Sequence, residues 1–398
     1  MEEIQLKDIC DLDNGYAFKS DDYVDNSNTL NCRMSNIRPD GSFDILYSAK
    51  YLPDEFAEKY KDYILHDGDL IIAMTDMAGD PKILGVPTVV DTQGFCLLLN
   101  QRVGRLRFIR DGVNADYLKF ALQCPKVRTY LKRFAGGGVQ LNVSKKDILS
   151  APVCMRNEEE QNHIAGLFKR VLEVKTKRER ELQLLDDLIK ARFVELFGDT
   201  TTGNYKYDTK KLGDVADVGS SHRVFTTEFV ESGVPFYRGT EIGELANGIK
   251  PTEPYYISEE HYNRLANDDT KPQIGDLLMP SICNKGQVWM VDTDEPFYYK
   301  DGRVLCISPN REIFDTKYLE YFMRAKTLVE YPKLGSGSTF AEFKIFLLKD
   351  IDVLIPPRDM QEQFADFVEQ VDKSKVVVQK ALDETQMLFD SLMQKYFG

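Results

Sequence analysis

At 398 residues, with 42% hydrophobic and 11% aromatic side chains, the chain has enough apolar material for two ordinary cores, which excludes a disordered or low-complexity polymer. Seven cysteines scattered singly, with no CxxC pair, argue against a disulfide framework or a zinc ribbon, and a net charge of −13 argues against a uniformly basic nucleic-acid binder. No apolar run approaches the roughly 18 residues of a membrane span. The N-terminus lacks a signal-peptide pattern, so the expected setting is the cytoplasm, with reduced and mostly buried thiols.

In chain order, residues 1–157 read as a mixed α/β domain with short β-rich runs at 69–73 and 85–90. A basic segment at 115–133 has helical period and runs into the triple glycine 136–138. A proline-containing seam, SAPV at 150–153, precedes a proline-free amphipathic stretch from Glu158 to Phe197, and the spacer-helix segment is set at 158–198. Its apolar residues Ile164, Leu167, Val171, Val174, Leu182, Leu185, Ile189 and Leu196 recur in steps of three and four. The pattern then repeats. Residues 199–357 form a second mixed domain with a strand at 287–291, a helix at 316–331 and a GSGST loop at 335–339. A final helix at 358–398 carries Phe364, Val368, Val371, Val378, Leu382, Phe389, Leu392 and Tyr396 on one face. At 1.5 Å per residue a 40-residue helix is roughly 60 Å long, more than a small domain needs, so the two helices are expected to pack on each other as a coiled coil.

Short matches recur in the same order at a separation of about half the length. Leu6 answers to Leu212, Arg33 to Arg238, and GDL at 68–70 to GDL at 275–277. Further on, Arg102-Val103 pairs with Arg303-Val304, Tyr117-Leu118 with Tyr318-Leu319, KDI at 146–148 with KDI at 349–351, Glu160-Gln161 with Glu362-Gln363, and Phe197-Gly198 with Phe397-Gly398. The charge is uneven between the copies. Between residues 101 and 146 there are eleven Lys/Arg against two acids, a net of +9, whereas 300–349 holds nine against six, a net of +3.

Reactive chemistry is hard to find. There is no GxxxxGK[ST] loop, no GxGxxG after a strand and no methyltransferase Asn/Asp-Pro-Pro-Tyr/Phe motif. His66, His163, His222 and His261 stand at no metal-ligand spacing. The expectation is a non-catalytic binding module with no catalytic residue, no metal and no cofactor of its own.

Several segments together carry a family resemblance: FYRGTEI at 236–242 with CRMSNI at 32–37, the GDL strands, NQRVGRLR at 100–107, the GSGST loop and the Pro-Pro…Glu-Gln helix start. Along the whole chain these resemble the specificity subunit of type I restriction–modification systems. The resemblance implies an α+β fold of two pseudo-symmetric target-recognition domains separated by two long helices packed as an antiparallel coiled coil. It also implies that each domain reads one half of a bipartite double-stranded DNA site. Two methyltransferase subunits would bring S-adenosylmethionine, restriction subunits would bring ATP and Mg, and no membrane would be involved.

Base edges are read by side chains held in register by phosphate contacts. The expected DNA contacts are therefore Arg102, Arg105, Arg128, Lys132, Arg133, Gln140, Asn142, Lys145 and Lys146 in the first half. In the second they are Arg303, Lys333, Ser336, Ser338, Thr339 and Lys344. Two other readings of the sequence are a protein-only adaptor and a fused restriction enzyme, the latter opposed by the short chain and the missing methyltransferase motifs.

Overall fold

The structure is a computed structural model that describes residues 2–266, 270–334 and 341–398. It divides into two compact units, residues 1–179 with 380–398, and residues 180–379. In the first unit a four-stranded antiparallel sheet has the order Cys10–Asn14, Val103–Phe108, Leu70–Ala73, Pro87–Val89. A second sheet, in the order Tyr51–Leu52, Thr29–Cys32, Cys96–Leu99, Ile64–Leu65, is built on a parallel central pair.

The run Leu70–Ala73 shows why an all-apolar tetrapeptide becomes the inner strand. Alternate side chains of a strand point to opposite faces, and here both faces are covered. Leu70 and Ile72 enter one core cluster with Tyr117, Phe120 and Phe168. Ile71 and Ala73 enter another with Leu30, Leu97 and Leu99.

The second unit repeats this plan. Its antiparallel sheet has the order Ala216–Gly219, Val304–Pro309, Leu277–Pro280, Trp289–Met290. Its other sheet again holds a parallel pair, Val234–Tyr237 with Tyr298–Tyr299. Leu277 and Met279 face one cluster and Leu278 the other. An antiparallel strand pair closes each unit: Glu2–Gln5 on Pro152–Met155, and Thr209–Lys211 on Asp352–Leu354.

Both long helices are 40 residues, Glu158–Phe197 and Arg358–Phe397. Each starts on a buried glutamine. The Gln161 amide donates to the carbonyls of Arg156 (2.8 Å) and Gly112 (3.2 Å) and accepts from the Asn114 N–H (3.0 Å). Gln361 does the same with Pro356 (2.9 Å), Ile313 (3.0 Å) and the Asp315 N–H (2.9 Å).

Pairing between the helices is antiparallel. In the first unit Phe168 packs on Phe389 at 5.3 Å, and the Lys175 ammonium donates to Gln386 (2.9 Å). In the second Phe193 packs on Phe364 at 5.3 Å, and Lys375 meets Asp186 at 2.6 Å. Numbers rise on one helix as they fall on the other. The end of each helix completes the core of the unit that the other repeat begins. Phe397 joins Tyr117 and Phe168, and Phe197 joins Tyr318 and Phe364.

The structure differs from the sequence expectations at three points. The single helix expected at 115–133 is two, Ala115–Gln123 and Pro125–Phe134, because Cys124 precedes a proline and is extended (φ −61°, ψ 149°). Its counterpart Thr316–Glu330 contains no proline and is continuous. Two repeat matches are also out of register. Gln161 is equivalent to Gln361, not Gln363, as the shared hydrogen bonds establish. Ile148 is likewise equivalent to Leu348, since their N–H groups donate to Ser144 and Lys344 in the same way.

Phe397 is 5% exposed within an aromatic cluster, so Phe397→Ala should destabilise the first unit by about 3–5 kcal/mol. Phe197→Ala should weaken the second by a similar amount. Two denaturation transitions followed by hydrogen exchange in each unit would assign the loss.

Candidate nucleic-acid interface

The parallel strands Thr29–Cys32 and Cys96–Leu99 end side by side, and a chain of backbone hydrogen bonds gathers polar side chains beyond their carboxyl ends. The Asn100 N–H donates to the Cys32 carbonyl (3.1 Å), and the Met74 N–H to that of Arg102 (3.0 Å). The Val143 N–H in turn donates to the Met74 carbonyl (2.9 Å). Arg33, Gln101 and Arg102 are thereby carried on adjoining loops, beside Thr75 and Asn142, which face each other on a short antiparallel strand pair. Asn142 accepts from the Thr75 hydroxyl (2.7 Å), and the buried Asn36 caps the Arg33 N–H (2.8 Å). Such an edge, outside the carboxyl ends of parallel strands, is where mixed sheets offer loops to a ligand.

A second device shapes the loop at 77–84. The buried Asp76 carboxylate accepts from the N–H groups of Met77 (2.8 Å) and Leu84 (3.0 Å), folding the loop over it. Opposite lies the strand Gln140–Asn142, paired with Thr75–Met77, and the Ala78 N–H donates to Val139 (3.1 Å). The turn before that strand needs Gly137, with φ +136° and the Gln140 carbonyl 1.9 Å from where a Cβ would stand. At this projecting tip Val139 and Met77 are exposed.

The expected contact residues of the first half fall into three groups. Arg105 and Lys145 are in ion pairs, with Asp13 (3.1 Å) and Asp11 (2.9 Å), as are Arg107 with Asp11 (3.3 Å) and Lys126 with Glu3. The bond from Lys145, with those from the Leu12 N–H and Arg107, holds the Asp11 carboxyl below its ordinary value. Arg128 turns inward and donates to the Lys82 carbonyl (3.1 Å), and burial pulls its pKa down, as it does for Lys119. Arg102, Lys132, Arg133 and Lys146 are exposed and have no ion pair among the described residues, while Gln140 and Asn142 line the adjacent strand. The two cations of Lys132 and Arg133 sit in the last turn of their helix, where its dipole favours positive charge.

The second half is built alike but charged differently. The Ser281 N–H donates to the Arg303 carbonyl (2.8 Å) and the Phe343 N–H to that of Ser281 (2.7 Å), matching Met74, Arg102 and Val143. Arg303 pairs with Glu342 (2.7 Å), as does Lys344, and Lys333 pairs with Glu330 (3.0 Å). Of the nine basic residues between 300 and 349, eight are in ion pairs, and Lys349 has none among the described residues. The bond from Lys344 leads the effects that hold the Glu342 carboxyl below its usual range. Burial pushes the Glu241 carboxyl up, yet the bonds it accepts from the Arg238 guanidinium and backbone bring it below its ordinary value. Ser336, Ser338 and Thr339 lie outside the described residues.

Sequence reasoning did not single out Arg33, Asn36, Gln101, Arg238, Glu241 or Asp301 as site residues. The signal was present in the CRMSNI and YRGTEI pair, whose fifth positions, Asn36 and Glu241, cap the arginine backbone in the same way (both 2.8 Å). Among the described residues no group of three or more His, Cys, Asp or Glu is placed to hold a metal ion, and no helix is long and apolar enough to cross a membrane.

Two copies of one α+β domain, each with polar loops beyond a parallel strand pair and each completed by an antiparallel pair of long helices, define a doubled recognition-type fold. The family described as Type I restriction modification DNA specificity domain matches residues 1–185 and again 204–384, and the chain belongs to it. Relatives include the Type I restriction enzyme MjaVIII specificity subunit of Methanocaldococcus jannaschii, 24% identical over 188 residues, which are 46% of this chain and 42% of that protein. The MjaIX specificity subunit of the same organism is 21% identical over 305 residues, 72% of this chain and 69% of that protein. The match to the first of these thus spans less than half its length. Among solved structures, a type I restriction–modification S subunit from M. genitalium has the same fold, with a TM-score of 0.57 at 12% identity, over 100% of this chain and 96% of that one. A chain from a study of assembly and conformational transition in a type I system gives 0.56 at 17% identity, over 100% and 97%.

Asp76→Ala leaves the amides of Met77 and Leu84 without their shared acceptor. The expected cost is about 1–3 kcal/mol, with faster hydrogen exchange at 77–84 and little change in the second unit.

Proposed function

We propose that this chain is the non-catalytic DNA-sequence reader of a type I restriction–modification complex, each unit reading one half of a bipartite target. The observation that carries the reading is the doubling. The same loop cluster, built by the same backbone hydrogen bonds, occurs once in each unit, and the family match also occurs twice. A two-part reader suits a two-part site, with phosphate contacts holding the register and base edges supplying the sequence.

On this reading the long helices scaffold the partners. Val376 (70% exposed), Val377 (69%), Leu184 (51%) and Leu188 (48%) are apolar side chains left at their surfaces, the kind of residue a protein partner would cover. Two methyltransferase subunits would supply S-adenosylmethionine and methylate adenine after flipping the base out of the stack. Restriction subunits would supply ATP and Mg. The complex would work in the cytoplasm, where its DNA is.

The test is a genome-wide map of methylated adenines in cells expressing this chain with its candidate methyltransferase, compared with cells lacking only this chain. A two-part motif with a fixed unread gap, lost on deletion, is expected. An unchanged map with an assembled complex would favour the protein-only adaptor. Lys132→Glu with Arg133→Glu and Lys146→Glu should weaken DNA binding by more than about tenfold at moderate salt and abolish methylation, while co-purification with the methyltransferase persists.

A further inference from the structure

Three equivalent positions carry amides in the first unit and carboxylates in the second. Asn36 and Glu241 both cap an arginine N–H. Gln101 and Asp301 both stand two residues past equivalent partners in the parallel pair, Leu98-bearing and Tyr298-bearing strands that align Cys32 with Leu99 and Tyr237 with Tyr299. Asn142 and Glu342 both precede the residue whose N–H closes the backbone chain.

In the second unit every one of these acids holds a cation. Glu241 takes the Arg238 guanidinium (2.6 Å), Asp301 takes Arg223 (3.2 Å) and Lys300 (3.4 Å), and Glu342 takes Arg303 (2.7 Å) and Lys344. The acids are shielded beneath the cations they hold: the Glu342 side chain is 20% exposed and that of Arg303 61%. In the first unit the amides leave Arg33 and Arg102 without any ion pair among the described residues.

We infer that this exchange divides the labour of binding: the first unit supplies most of the salt-dependent phosphate grip, and the second reads its half-site with charge-compensated, oriented side chains. The inference rests on the DNA-reading role proposed above. Affinity gained by neutralising phosphate scales with the cations free to displace counterions, and a cation already held by a carboxylate displaces fewer. A carboxylate that grips a guanidinium instead fixes its planar fork, which suits bidentate recognition of guanine, and an acid can itself accept from the cytosine amino group.

The experiment measures binding of the full chain to a mixed-sequence DNA duplex several turns long by fluorescence anisotropy, between about 50 and 200 mM salt. Arg102→Ala should flatten the slope of log K against log salt by about 0.9, whereas Arg303→Ala should change it little. Glu342→Gln, which preserves shape and releases both Arg303 and Lys344, should steepen the slope by about 0.9 or more and make binding sensitive to Arg303→Ala. Equal flattening by the two arginine variants, or no response to Glu342→Gln, would overturn the division while leaving DNA binding intact. A wild-type chain whose binding shows no salt dependence would remove the DNA-reading role, and this inference with it. Thermal melting of each variant checks that these surface changes leave the fold unaltered.

Discussion

Everything in this protein depends on helix ends that do not serve the domain they follow. Phe197 closes a core made of Tyr318, Phe322 and Phe364, and Phe397 closes one made of Tyr117, Phe120 and Phe168. Each mixed domain alone leaves an apolar face open at the position these aromatic rings fill. Burying a phenylalanine there contributes roughly 1.5–3 kcal/mol, and the ring-to-ring contacts of about 5 Å add specificity of placement. The first unit is therefore incomplete until Phe397 is in place. The antiparallel pairing of the helices follows from that exchange.

The buried glutamines make the arrangement directional. Gln161 is 2% exposed and Gln361 not at all, so their amides must be satisfied inside the protein. Each ties the first turn of its helix to the seam before it and to the loop that starts an earlier helix of the same domain, Ala115–Gln123 or Thr316–Glu330. Packing at the far end and hydrogen bonding at the near end thus hold each helix against the domain it leaves and the domain it completes.

The loop clusters rest on this frame. Their backbone is the same in both units, because the hydrogen bonds from Met74 to Arg102 and from Ser281 to Arg303 depend on strand ends, not on side chains. Side-chain identity is then free to differ. Acids from residues 3–13 neutralise part of the basic stretch of the first unit, and acids within 300–349 neutralise most of that of the second. A negative overall charge is compatible with a locally basic surface for this reason.

Sequence by itself determined the doubling, the two long helices and the family, because periodicity and repeated motifs are properties of local order. Phe197-Gly198 and Phe397-Gly398 match in the sequence, and the proline-free stretch from Glu158 to Phe197 is the first long helix. Tertiary structure alone decided which charges are available. Arg105 and Arg107 lie within a net +9 stretch, yet Asp13 and Asp11, about ninety residues away in sequence, bind them through an antiparallel strand register that no local pattern encodes, and Lys145 reaches Asp11 from a separate short helix. Arg128 donates to the carbonyl of Lys82, 46 residues earlier, and the bonds from Phe343 to Ser281 and from Ser281 to Arg303 bring Glu342 beside Arg303. Helices and repeats follow from neighbours along the chain; the free or paired state of a cation follows from neighbours in space.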